Sequence, residues 1–237
     1  MDYVPVYAGE DDARTVVVPA GRLQRTGVRS QAVERRVLTA AVRAPGTLEE
    51  DERRISVVVV RSEAFIEAVD NVTTGERVQK GQPLLRLYSP DIAAAAAQYL
   101  SAVGAEGARR RLENLAVPQD VIAEIERTRR VPLTIVWRAP RDGVVVERAV
   151  TEGMRVMPGD VLFRIADHSV LWAIASVPER ELASVVEGRT ASLRVRGLPG
   201  RAFQGTVTRI YPRLSAETRT ARVRIEVTNT ENLLRPA

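Results

Sequence analysis

Gly75-Glu76-Arg77-Val78-Gln79-Lys80-Gly81-Gln82-Pro83-Leu84-Leu85-Arg86-Leu87 carries the pattern G-x-x-V-x-x-G-x-x-L-x-x-L. Seventy-eight residues later, Gly153-Met154-Arg155-Val156-Met157-Pro158-Gly159-Asp160-Val161-Leu162-Phe163-Arg164-Ile165 repeats it, with Ile in the last slot. An apolar segment precedes each copy, at residues 65–69 and 143–146. Glycines framing short β runs fit a strand, a tight turn, a strand and another turn, because glycine supplies the positive φ that such turns need. One copy has too few apolar positions to close a core, so the two are expected to clasp each other. The residues that carry this expectation are Gly75, Val78, Gly81 and Leu84 in the first copy, and Gly143, Gly153, Val156, Gly159 and Leu162 in the second.

The sequence between the copies has a different period. Ser89-Pro90-Asp91 marks a helix start: Ser caps, Pro fits the first position, and Asp complements the dipole. Ile92, Ala95, Ala96, Tyr99 and Val103 then fall on one stripe, which Gly104 and Gly107 interrupt. Residues 109–116 continue with Leu112 and Leu115 inward. Val117-Pro118 restarts a third piece, with Val121, Ile122 and Ile125 facing in and Arg127, Arg129 and Arg130 at its end. Three short helices of roughly three to four turns each are expected. Two layouts stay open: three antiparallel helices with residues 131–136 running back, or the second and third pieces as one descending arm. In both, the insertion projects from the β unit.

Outside the copies the sequence reads mainly as strands. Residues 15–18 form a short strand closed by Pro19, and residues 20–26 one or two helical turns. Residues 28–42 alternate loosely, as a long exposed strand would, and Pro45-Gly46 breaks it. The run Val57-Val58-Val59-Val60 is expected to be buried on both faces. After the second copy, residues 179–187 read as a short helix closed by Gly188. Residues 191–195 and 222–227 alternate apolar and charged, and residues 203–211 fit another strand with Gly205 as a candidate bulge. Met154 and Met157 read as core, and His168, the only histidine, as a turn or surface residue.

Composition narrows the function. Cysteine is absent, which removes disulfides, thiolate metal sites and thiol nucleophiles. No apolar run approaches the ~18 residues of a membrane span, and Met1-Asp2 begins no signal peptide. The net charge is +5, but nine arginines face one acid, Glu217, between residues 189 and 224, a local balance of +8. Two readings follow: a basic surface for anionic headgroups or an acidic partner, or arginine on the solvent side of strands. Nucleic acid is disfavoured, since aromatics are 4% and no stacking platform interleaves the arginines. No P-loop, G-x-S-x-G or Cys/His set points to an enzyme.

The paired pattern resembles the two halves of a biotinyl/lipoyl domain split by a helical insertion, as in the periplasmic adaptor, or membrane fusion, proteins of tripartite efflux pumps. Ala166-Asp167-His168-Ser169-Val170-Leu171-Trp172 resembles the family's exit into a β-barrel, with His168 in the usual Leu slot. The order Gly205-Thr206-Val207, Ile210-Tyr211-Pro212, Thr218-Arg219-Thr220, Val223-Arg224, Asn229 and Arg235-Pro236 resembles the resistance-nodulation-division branch. Met1-Asp2-Tyr3-Val4-Pro5-Val6 resembles the tail of an N-terminal metal-binding motif of heavy-metal, copper/silver-type adaptors.

The resemblance implies a mainly β fold with an α-helical insertion: a split lipoyl-like β-sandwich, a helical hairpin or three-helix bundle, and a β-barrel, in an elongated modular chain truncated at both ends. The expected domains are a lead at 1–30, a barrel at 31–55 plus 168–237, a sandwich at 56–89 plus 132–167, and helices at 90–131. It implies no enzyme and no resident cofactor, with transient Cu(I) or Ag(I) in the full-length protein. Met1 is the one candidate ligand, and a single thioether makes an incomplete site. Implied partners are an inner-membrane proton-driven transporter, an outer-membrane channel and further copies in a trimer or hexamer, in the periplasm beside the inner membrane. Val103, Gly104, Glu106, Gly107 and Arg109 on the insertion, and Arg219 and Arg222 on the barrel, are the candidate contact residues. Two alternatives stand beside it: an adaptor for a drug or ABC-type exporter, and an enzyme's carrier domain modified at Lys80, the only lysine.

Overall fold

The computed structural model describes residues 32–35, 41–101 and 106–237. Met1, the 15–18 strand, the 20–26 turns, Val103 and Gly104 lie outside the described residues. In chain order the strands are β1 (Gly46–Glu50), β2 (Ile55–Val59), β3 (Ala64–Val69), β4 (Arg77–Val78), β5 (Pro83–Tyr88), β6 (Ile135–Arg138), β7 (Gly143–Arg148), β8 (Arg155–Val156), β9 (Val161–Ala166), β10 (Val170–Pro178), β11 (Thr190–Leu193), β12 (Phe203–Ser215) and β13 (Thr220–Thr228). The helices are α1 (Pro90–Ser101), α2 (Glu106–Asn114), α3 (Gln119–Thr128) and the single turn α4 (Glu179–Leu182).

The two copies do close on each other, and they do it by exchanging strands. One four-stranded sheet runs β2-β9-β7-β4 and the other β6-β5-β3-β8, so each takes strands from both copies. The short strand β4 pairs with β7 of the second copy, and β8 pairs with β3 of the first. Equivalent bonds repeat at the 78-residue spacing. The Gln79 N–H donates to Gln82 Oε1 (3.0 Å), as the Met157 N–H does to Asp160 Oδ2 (2.7 Å). The Gly75 N–H donates to the Val145 carbonyl and the Gly153 N–H to the Ile66 carbonyl, both at 2.8 Å. Gly75, Gly81, Gly153 and Gly159 have φ of +93°, +84°, +79° and +95°, the left-handed values that only glycine adopts without penalty.

Between the sheets lie Ile66, Leu84, Leu85, Leu87, Val145, Val156, Leu162, Phe163 and Ile165, all within a few per cent of full burial. The inward residues of the helices, Ile92, Ala95, Ala96, Leu112, Ile122 and Ile125, belong to the same contiguous core. The insertion is therefore seated on the sandwich rather than standing clear of it, a correction to the projecting arm. Ser89 caps α1 from a buried position, its hydroxyl bonded to the Glu63 carbonyl (2.8 Å) and the Ser62 hydroxyl (2.9 Å). The layout is three antiparallel helices. The phenol of Tyr99 near the end of α1 and the guanidinium of Arg109 at the start of α2 both reach Glu126 near the end of α3. Gly107 lies inside α2 and does not interrupt it.

A third sheet runs β1-β10-β13-β12-β11, antiparallel throughout, over a separate core of Leu171, Val177, Val207, Val223, Val227 and Leu234. Here four expectations fail. Pro45-Gly46 opens strand β1 instead of ending one, and residues 32–35 carry no strand. Gly46 permits the close approach, since a Cβ there would meet the Ile174 carbonyl oxygen at 2.7 Å. Gly205 is not a bulge: it pairs in register with Val227, and its missing Cβ makes room for Ile225 and Val227. The register shifts fall later, between Val207 and Arg209 and between Ile210 and Leu214. The helix expected over 179–187 is only the turn α4.

The valine run is buried on one face only, because alternate side chains point to opposite faces and the outer face meets solvent here: Val58 and Val60 are inside and Val57 is 45% exposed. Met154 and Met157 are not core either, standing 38% and 48% exposed on the turns flanking β8.

Candidate functional surfaces and the joint between them

The helical face offered as a contact surface is partly spent on itself. Arg109 bridges Glu113 (3.3 Å) and Glu126 (3.1 Å), while Glu106 and Arg110, both well exposed, sit 3.9 Å apart. The hydrogen bond to Glu126 also raises the Tyr99 phenol above its ordinary value, with desolvation adding to it. Lys80 lies on the β4–β5 turn, where its backbone N–H is held by Asp142 Oδ1 (2.7 Å). No short hairpin joins the two copies at a lysine; the helices do.

The barrel arginines divide by what they touch. Arg222 pairs with Glu49 (3.0 Å) and lies over Tyr211 (5.4 Å). Arg201 pairs with Glu231 (2.9 Å), and Arg224 stacks on Trp172 at 4.2 Å and donates to the Thr208 hydroxyl. Among the described residues, no carboxylate lies within salt-bridge distance of Arg189, Arg194, Arg196, Arg209, Arg213 or Arg219. Arg219 adopts φ +48° at the β12–β13 hairpin, where its carbonyl accepts from the Glu179 N–H. The structure thus brings Arg219 and Arg222 onto one hairpin, but only Arg219 keeps a side chain without a carboxylate partner there.

A polar cluster that sequence reasoning passed over sits where the chain leaves β1 for β2 and β9 for β10. The buried Asp51 carboxylate accepts from the Arg53 N–H (3.0 Å), Nε (2.9 Å) and Nη2 (2.7 Å). Arg54 Nη1 donates to Asp167 Oδ2 (2.6 Å), and His168 Nε2 lies 2.9 Å from Glu50. Asn229, 3% exposed, bonds the His168 and Leu234 carbonyls through Nδ2 and takes the Leu234 N–H on Oδ1. Burial alone would raise both aspartate carboxyls. Bonds from Arg53 to Asp51, and from Ser169 and Arg54 to Asp167, outweigh it and hold both below the ordinary 3.8. Asp167 and Asn229 stand in the family-like strings, but Asp51 and Arg54 carry no local signal, because Arg54 meets its partner 113 residues away.

A split sandwich of exchanged β copies, a helical insertion and an attached antiparallel barrel define a membrane fusion protein. Residues 55–166 match the model described as "CusB, barrel-sandwich hybrid domain" and residues 170–237 the "CusB-like, beta-barrel domain". The chain belongs to the CusB-like membrane fusion proteins.

It is 30% identical over 244 residues to the cation efflux system protein CusB of Escherichia coli (strain K12), covering all of this chain and 60% of that protein. It is 25% identical over 252 residues to the cobalt-zinc-cadmium resistance protein CzcB of Cupriavidus metallidurans, covering 93% of this chain and 48% of that one. Among solved structures, ZneB from Cupriavidus metallidurans shares the fold with a TM-score of 0.54 at 21% identity, over 81% of this chain and 93% of that one. The chain thus spans about half to three-fifths of the length of these curated relatives. Among the described residues no helix is long and apolar enough to cross a membrane, and no cluster of three or more His, Asp or Glu forms a metal set.

Proposed function

We propose that this chain is the sandwich, helical and barrel portion of a non-enzymatic periplasmic adaptor that links an inner-membrane, proton-driven transporter to an outer-membrane channel. The cargo is a heavy-metal cation, Cu/Ag or Zn/Co/Cd, treated as substrate rather than as a resident ion. The observation that carries this reading is the strand exchange between two β copies across a seated helical insertion. It makes an unmodified scaffold whose only lysine is off the position a carrier needs. Similarity to CusB along the whole chain points to the metal branch.

In this reading several copies, three or six, stand side by side. The helical end with Val103, Gly104, Glu106, Gly107 and Arg109 meets the channel, and the barrel with Arg219 and Arg222 meets the transporter. A strain lacking the full-length gene should lose resistance to copper and silver, or to zinc, cobalt and cadmium, and regain it on complementation. Unchanged sensitivity to all five would end the metal reading. Copurification with an ABC exporter would move the adaptor to a different pump. A mass increment on Lys80 after expression with a biotin or lipoate ligase would restore the carrier alternative.

A further inference from the structure

Within the described residues after Val42, the chain crosses between sandwich and barrel twice, at 51–54 and at 167–169. Two such crossings alone define a hinge. Apolar packing does not lock it, since the core of the sandwich and helices and the core of the barrel are separate clusters. An open cleft of about 460 Å³, lined in part by Arg77, Asp142, His168 and Asn232, lies beside the crossings and leaves room for movement.

What spans the joint is polar. Arg54 belongs to the first crossing, with Nε 3.7 Å from Asp51, and reaches the second through Asp167 (2.6 Å) and the Ser169 hydroxyl (3.2 Å). The Asp167 N–H returns a bond to the Arg54 carbonyl (3.1 Å), and Arg141 of the sandwich stands 3.6 Å from the same carboxylate. On the barrel side, Arg53 ties Asp51 to Glu226 of β13 (2.6 Å) and lies over Trp172, while Asn229 fixes the Ser169 carbonyl (2.7 Å).

We propose that Arg54 is a latch: by holding Asp51 and Asp167 together it makes sandwich and barrel one rigid body, and without it they swing about the two crossings. A planar guanidinium can serve two carboxylates and a hydroxyl at once, which a lysine ammonium cannot do in the same geometry. Asp51 is 1% and Asp167 23% exposed in their side chains, so water and salt screen the latch less than a surface pair. The inference concerns the joint itself and holds whatever the chain bridges.

The cysteine-free chain makes the test clean. Nitroxides on Ala149→Cys in the sandwich and Gln204→Cys in the barrel report one distance distribution by pulsed electron double resonance. The parent should give a narrow peak, and Arg54→Met should broaden it at least twofold with the circular dichroism spectrum retained. Asp167→Asn, the reserve should Arg54→Met fail to fold, should broaden it similarly, and the two together should broaden it no further. Arg54→Lys should fall between parent and Arg54→Met. A width unchanged in both Arg54→Met and Asp167→Asn overturns the proposal, as does equal broadening by Arg109→Met, which breaks ion pairs confined to the helices (Glu113, 3.3 Å, and Glu126, 3.1 Å).

Discussion

Glycine in this chain works in two physically different ways, and substitution separates them. At Gly75 an added Cβ meets nothing within 4 Å, so the cost of Gly75→Ala is the left-handed φ alone, about 1 kcal/mol. At Gly143 the φ is ordinary, but a Cβ would sit 2.6 Å from the Ala166 carbonyl oxygen and 2.9 Å from Ile165 Cγ2. Backbone cannot yield as a side-chain end can, so Gly143→Ala should cost roughly 1–3 kcal/mol. Urea denaturation of the two variants checks the order, and Gly75→Ala as the costlier one would refute it. The same contrast explains what the sequence revealed. Turn glycines leave a spaced signature, so Gly75, Gly81, Gly153 and Gly159 could be read. The close-approach glycines Gly46 and Gly205 were misread, because the strand they admit lies far along the chain. Exposure of Met154 and Met157 was equally illegible: an apolar side chain on a turn beside a two-residue strand does not declare whether it faces the core.

At the scale of elements, the seating of the helices on the sandwich has a thermodynamic consequence. Leu112 of α2 is fully buried in a core that it shares with strands of both copies. Leu112→Ala should therefore cost about 2–5 kcal/mol. Its effect should appear on the whole sandwich rather than as early melting of the insertion. In a Trp172→Phe background, helical circular dichroism and the fluorescence of Trp137, buried on β6, should lose signal in one coincident transition, with and without Leu112→Ala. Two separated transitions would show the helices to be an independent arm. Ser89→Ala should cost about 1 kcal/mol for the lost cap, and somewhat more because the buried Ser62 hydroxyl loses its partner. A melt within error of the parent would discount the cap. The helices themselves were legible from cap and stripe. Their docking was not, since an apolar stripe specifies that a face is covered and leaves open what covers it.

For the whole molecule, two cores joined by a charged latch make the response to acid specific. Asp51 and Asp167 are held below their ordinary 3.8 in the folded state by arginine and N–H donors, against the upward pull of burial. A carboxyl depressed on folding contributes stability above its unfolded value, and that contribution is lost as pH falls through the folded one. These two groups should leave stability flat from pH 7 to about 5 and steepen its loss below 3.8. The joint thus stays latched across the mildly acidic range and yields below the ordinary carboxylate value. The variant Asp51→Asn with Asp167→Asn should be less stable than the parent at neutral pH. The gap should close as pH drops from 5 toward 2, because protonation removes from the parent what substitution has already removed from the variant. Denaturation midpoints at five pH values measure this. A gap that stays constant down to pH 2 would mean that the two carboxylates contribute shape rather than charge, and the joint would then owe its stiffness to the neutral bonds of Asn229 and the backbone.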